Sequence, residues 1–248
     1  MYKQFKSSKL RLALVAAMAL TMTACSDDDP VPTPTPTPTP TPAPTPAPTP
    51  VSVSYEVTVT NMTNAQPLSP VAVVLHQEGN LWTLGESASV ELETMAEGGD
   101  NSALLALPVA MATATGAAPI GPGGNETITV TIDDITDAKL SVATMLVNTN
   151  DAFSGLNAWD LSQLSVGDSW TTTTRAYDSG TEANSEAAGT IPGPADGGSG
   201  FDAARDDVDF VGAHSGVVSA DDGLSTSVLN SQHKFDNPVM RISVTRTE

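Results

Sequence analysis

The sequence predicts an all-β fold, an antiparallel β-sandwich with one or two short helices inserted, preceded by a disordered or polyproline II stalk. Three observations carry this. Runs rich in β-branched residues recur from Tyr55 to Arg246, Gly and Pro clusters punctuate them, and one stretch alone ends in a helix-stop signature. About 200 residues follow the stalk, enough for one β-rich domain with its own core.

The first run, Tyr55–Thr60 (YEVTVT), alternates side-chain character and reads as a strand. Val71–His76, Glu126–Ile132, Leu140–Val147, Trp170–Arg175 and Val239–Arg246 read the same way. Turn chemistry separates them at Pro67 and Pro70, at Pro119 with Gly121–Gly124, at Gly155 and at Gly197–Gly200. Ser87–Glu97 differs: it runs into Gly98-Gly99, a helix end, and Ala103–Leu107 then stops at Pro108. Trp82, Trp159 and Trp170 read as core or edge packing, with an exposed Trp beside a binding loop as the sharper option.

Ahead of this domain, residues 1–24 have the parts of a secretory signal peptide. Lys3, Lys6, Lys9 and Arg11 precede the apolar run Leu12–Leu20, which is too short to cross a bilayer. Cys25 is the one cysteine of the chain, so no disulfide can form within it. The string MTAC at residues 22–25 resembles a bacterial lipobox, which implies cleavage behind Ala24 and a membrane partner through lipid on Cys25. Several acyl chains, at about 0.8 kcal/mol per buried CH₂, would anchor it stably. Ser26 after the cysteine implies outer-membrane delivery. Residues 25–51 form the lipidated cysteine and the Pro/Thr-rich stalk. Proline fixes φ and removes a backbone donor, so residues 30–50 read as a polyproline II spacer. Fully extended at about 3.1 Å per residue, that spacer would reach roughly 65 Å. The globular domain is then 52–248.

The net charge of the chain is −19. Without the four basic residues of the leader, six remain against 29 acidic ones, or −23. This excludes nucleic acid, which needs clustered Lys and Arg, and it opposes adsorption to anionic lipid. It suits hard divalent cations, which take oxygen ligands.

Five segments in order carry a family resemblance: YEVTVTN, LETMAEGGDNSAL, MLVNTNDAFSGLN, YDSGTEANSE and NPVMRISVTR. Together they resemble the spondin domain (the F-spondin N-terminal domain) in a bacterial lipoprotein form, from about Tyr55 to Arg246. The resemblance implies an antiparallel sandwich that binds a divalent cation, Ca²⁺, in loops at one end. The animal members act in the extracellular matrix and in adhesion.

Read from the residues, the loop Asn148–Gly155 follows an apolar strand and carries Asp151, and the loop Tyr177–Glu182 carries Asp178, with Gly180 permitting a sharp turn. Two such loops at one edge would supply oxygens to one cation, with backbone carbonyls and water completing six to eight. The competing reading is that each Asp only caps its own turn. The resemblance implies Asp151 and Asp178 as ligands. It implies a third acidic ligand on the preceding strand, with Asp133 or Asp134 nearest and Glu126 behind them, and it places Glu182 where relatives carry Asp. The absence of a Cys/His cluster excludes a zinc site of ordinary spacing.

No G-x-S-x-G, H-E-x-x-H, phosphate-binding or dinucleotide-binding motif occurs, so no enzyme is expected. His76, His214 and His233 read as surface or half-buried side chains rather than general bases. The functional expectation is a cell-envelope lipoprotein that presents a calcium-binding module for adhesion to an extracellular protein or glycan, at the cell surface or in the periplasm. A structural lipoprotein without a specific ligand is the alternative. A hydrolase with paired carboxylates ranks last, since it needs a suitable separation and one raised pKa.

Overall fold

The computed structural model of the protein describes residues 51–133 and 137–248. The leader, Cys25, the stalk to residue 50 and Asp134 lie outside the described residues. Among the described residues, ten strands and two α-helices succeed one another: β1 (Val53–Asn61), β2 (Ala72–His76), α1 (Val90–Gly98), α2 (Ser102–Leu105), β3 (Ala110–Thr115), β4 (Asn125–Ile132), β5 (Lys139–Met145), β6 (Ala152–Asp160), β7 (Ser169–Thr174), β8 (Ala176–Asp178), β9 (Gly212–Ala213) and β10 (Met240–Arg246). They form a four-stranded sheet, β4-β1-β10-β7, and a six-stranded sheet, β3-β2-β5-β6-β8-β9, antiparallel throughout. The predicted all-β sandwich with short helices is the observed fold.

Period-2 patterning builds the interior. Val53, Tyr55, Val57 and Val59 of β1 point inward with Ile128 and Val130 of β4 and Ile242 and Val244 of β10. They meet Val73 and Leu75 of β2 and Leu140 and Val142 of β5. Each such side chain contributes about 1.5–3 kcal/mol when fully buried. The opposite parity of the six-stranded sheet faces a second core. Val74, Ala143, Met145 and Phe153 pack under Leu92, Met95 and Leu104 of the helices, and Trp82 closes the layer. Helix α1 starts where the Ser89 side chain accepts from the Leu92 N–H, and it stops at Gly99, whose φ of 70° suits only glycine well.

Trp159 of β6 and Trp170 of β7 stack 4.1 Å apart across the two sheets and so close one edge.

Two sequence expectations need correcting. Gly155 is mid-strand rather than a turn residue: β6 begins at Ala152, because Phe153 belongs in the second core. A Cβ on Gly155 would stand 2.0 Å from the Val142 carbonyl oxygen, so a close approach of backbones requires glycine there. The histidines also differ from the surface reading. His76 is fully buried, with Nδ1 bonded to the Glu78 carbonyl and Nε2 to the Ser141 hydroxyl, and His214 and His233 are buried as well. The His76–Ser141 pair resembles a nucleophile and its base, but both have zero exposure and no substrate can reach them.

Candidate functional site

The β5–β6 turn positions the first aspartate. The Thr149 hydroxyl donates to the Leu146 carbonyl at 2.6 Å and accepts from the Ala152 N–H at 3.0 Å. Gln66 fixes the same turn from outside, accepting from the Asn148 N–H and donating to the Asn148 carbonyl. Asp151 is thereby held at the mouth of β6 with zero exposure. β8 pairs with β6 so that Asp178 lies opposite Ala152. The two aspartates therefore share one tip of the six-stranded sheet.

The loop after β8 wraps the Asp151 carboxylate. Oδ2 accepts from the Ser179 hydroxyl at 2.8 Å, the Thr181 N–H at 3.0 Å and the Glu182 N–H at 3.3 Å. Oδ1 is buried and has no hydrogen-bond partner. Asp178 accepts from the Gly180 N–H through Oδ1 and from the Asn184 amide through Oδ2. Gly180 has φ of 72°, and an added Cβ would meet the Phe210 carbonyl oxygen at 2.3 Å, so only glycine permits this turn. Asn184 in turn accepts from His214 Nε2 at 2.9 Å, while the Gly216 N–H donates to Nδ1. His214 is thus a neutral imidazole, consistent with the lowering of its pKa by burial.

Among the described residues, the electrostatics of this tip lack a positive partner. Burial, and secondly the Asp178 charge, push the Asp151 pKa up to about 7, although three donors work against this. Glu182 also rises to about 7, through burial and then the charges of Glu97, Asp151 and Asp206, opposed by the Asn150 amide at 2.8 Å. Arg205 is committed to Glu93 and Asp209.

Comparison with protein-family models and with curated proteins finds no match. Support for a cation site therefore comes from the geometry and from the Asp- and Gly-bearing loop motifs themselves.

The structure places Asp178 and Glu182 at the two ends of the short loop that wraps Asp151, and it leaves Asp133 out. Asp133 follows the far end of β4, where it accepts from the Ser52 hydroxyl. The near end of β4 lies at the Asp151 tip, because Leu68 bridges both Ile120 and Leu146. At about 3.3 Å per residue, Asp133 is about 25 Å along the strand from that end. Glu126 sits at the near end but turns to the Ala117 N–H at 2.7 Å. Among the described residues no three Asp, Glu, His or Cys side chains converge into a ready-made cage. The donor set nevertheless fits a hard cation. It offers an orphaned buried carboxylate oxygen, a second carboxylate on the adjacent strand, and loop carbonyls.

Sequence reasoning missed Glu97, Asp206 and Asp207. Glu97 is legible only as part of a helix stop, yet its spacing from Glu93 places two acids on one helix face. Asp206 accepts from the Ala183 N–H, and its own N–H donates to the Thr181 carbonyl. No pattern in the 201–210 segment announces that it folds back over this tip.

Proposed function

We propose that the protein is an envelope lipoprotein whose lipidated Cys25 and proline-rich stalk display a calcium-binding sandwich tip for adhesion to a protein or glycan outside the inner membrane. The observation that carries the proposal is Asp151 Oδ1. A buried carboxylate oxygen without a donor costs several kcal/mol, and a divalent cation between Asp151 and Asp178 removes that cost. Glu182 adds charge beside them.

The surface around the tip favours ligand binding over a purely structural role. Phe201, Val208 and Phe210 are exposed on the segment that also carries Asp206 and Asp207. Leu84 and Val90 are exposed close by, because Val211 exchanges backbone hydrogen bonds with Gly85 and Glu86. A clustered apolar rim beside a charged site is a usual mark of an interaction surface.

The test is calorimetric titration of the chelator-stripped chain with Ca²⁺, followed by thermal unfolding. Binding at 100 times the Kd is expected to stabilise by about 2.7 kcal/mol, or roughly 5–10 °C in Tm, and Asp151→Asn is expected to lose the share contributed by the Asp151–Asp178 position. No heat and no Tm change at millimolar Ca²⁺ would remove the reading. Cys25→Ala is expected to move the chain from the membrane to the soluble fraction.

A further inference from the structure

Helix α1 carries a second charge without a partner. Glu93 and Glu97 stand one turn apart on one face and are 2% and 1% exposed. Like charges at this spacing oppose the helix. Glu97 also lies in the last turn, where the helix dipole favours cations, and that turn has no basic residue. Of the two glutamates Arg205 reaches Glu93 and not Glu97: Nη2 donates to Glu93 Oε2 at 2.7 Å and to the Ala88 carbonyl, and Nη1 donates to Asp209.

Among the described residues, Glu97 has no such cation. Its Oε2 accepts from the Asp202 N–H at 2.9 Å, and its Oε1 is buried with no hydrogen-bond partner. Across the seam the Thr181 hydroxyl lies close enough to the Glu97 carboxylate to oppose the rise in its pKa that burial causes, and the Glu182 carboxylate feels the Glu97 charge ahead of those of Asp151 and Asp206. Glu182 Oε1 is held toward Asn150.

We propose that Glu97 and Glu182 hold a second divalent cation, in the seam between the last turn of α1 and the 178–182 loop, separate from the position between Asp151 and Asp178. Two carboxylates, loop carbonyls and water meet the oxygen demand of Ca²⁺. The cation would neutralise the acidic end of α1 and tie the helix to the same loop that wraps Asp151. It would also steady the Phe201–Asp209 segment, which Glu97 already holds through Asp202. This rests on the cation reading of the tip, and the experiment separates the two.

The full chain, stripped with chelator, is dialysed to equilibrium against Ca²⁺ and the bound metal is counted per chain. Two ions are expected in the wild type, one in Glu97→Gln, one in Asp151→Asn and none in the double variant. Glu97→Gln keeps an acceptor for the Asp202 N–H, and its unfolding midpoint in chelator should not fall below that of wild type. Glu97→Asp, which withdraws the charge without removing it, should weaken one of the two ions at least tenfold. A single ion that Asp151→Asn removes and Glu97→Gln keeps would overturn the second position and leave the first. A single ion lost in either variant would also overturn it, as one shared site. A count that falls with Glu97→Gln but not with Asp151→Asn would overturn the first position instead, and no bound Ca²⁺ would overturn both.

Discussion

Asp178 stands opposite Ala152 in the β6–β8 ladder, which sets its carboxylate one residue out of register from that of Asp151. The tight β5–β6 turn fixes one acid and the strand pairing fixes the other, so their mutual repulsion is built into the fold. The pH dependence of stability turns on the burial of Asp151 first and on that repulsion second, and the proposed metal affinity draws on both.

The metal-free chain is expected to lose stability as pH rises from about 4 to about 7. Asp151 titrates at 3.8 when unfolded and at about 7 when folded, so the folded state holds the extra proton in that window. The contribution is full below 3.8, falls through the window and is gone above about 7. That span corresponds to roughly 4 kcal/mol. Glu182, raised to about 7 from 4.5, acts in the same direction. His214 and His233, whose pKa values burial lowers, act oppositely near pH 6.5. The Asp151 share is therefore read as the difference between wild type and Asp151→Asn in chelator at pH 5 and pH 8. A difference that does not change with pH would refute it.

Calcium should invert this dependence. A bound ion requires both carboxylates ionised, so affinity should rise with pH up to about 7, the Asp151 value, and then level. Titrations at pH 5.5, 6.5 and 7.5 check this. An affinity independent of pH would place the ion elsewhere.

Much of the fold is legible because both cores follow parity. In β1 every second residue from Val53 faces inward, and the same rule gives β2, β4, β5 and β10. β6 is not legible, since Ala152-Phe-Ser-Gly155 has small and polar residues on both faces. What makes it a strand is tertiary: Phe153 packs edge-on to Trp82 at 5.1 Å and Gly155 presses on Val142. Asp151 and Asp178 are legible because turns advertise themselves with Asp and Gly. Glu97 is not, because a helix buries it only through the return of the distant Asp202–Asp209 segment.

Gly180→Ala should be costly, and the loss should come from contact as well as conformation. Its φ of 72° already strains any L side chain, and the Cβ would stand 2.3 Å from the Phe210 carbonyl oxygen. Gly189→Ala is the control, with φ of 89° and open space around the added Cβ. The left-handed strain alone is about 1–2 kcal/mol per residue. Gly180→Ala should therefore exceed Gly189→Ala by at least about 1 kcal/mol, or roughly 2–4 °C in Tm. Equal midpoints would mean that the Phe210 segment moves away freely.

Arg205→Met should destabilise the chain by about 3–5 kcal/mol, because it removes the cation that the buried Glu93 side chain is paired with. Glu93 is 2% exposed and its Oε1 already lacks a partner, so no other group can take over. The Asp209 arm of the pair is half exposed and should contribute little. Glu93→Gln in the Arg205→Met background should recover most of the loss, since a neutral amide needs no counter-ion. The same double variant also separates charge from packing. If Arg205 acts mainly as a strap, through the Ala88 carbonyl, Glu93→Gln rescues nothing and the 201–209 segment becomes protease-sensitive in both variants. If charge dominates, the double variant regains its midpoint and resists cleavage. The two outcomes are read from one thermal-unfolding series and one limited-proteolysis series in chelator, so metal binding at the tip does not enter either.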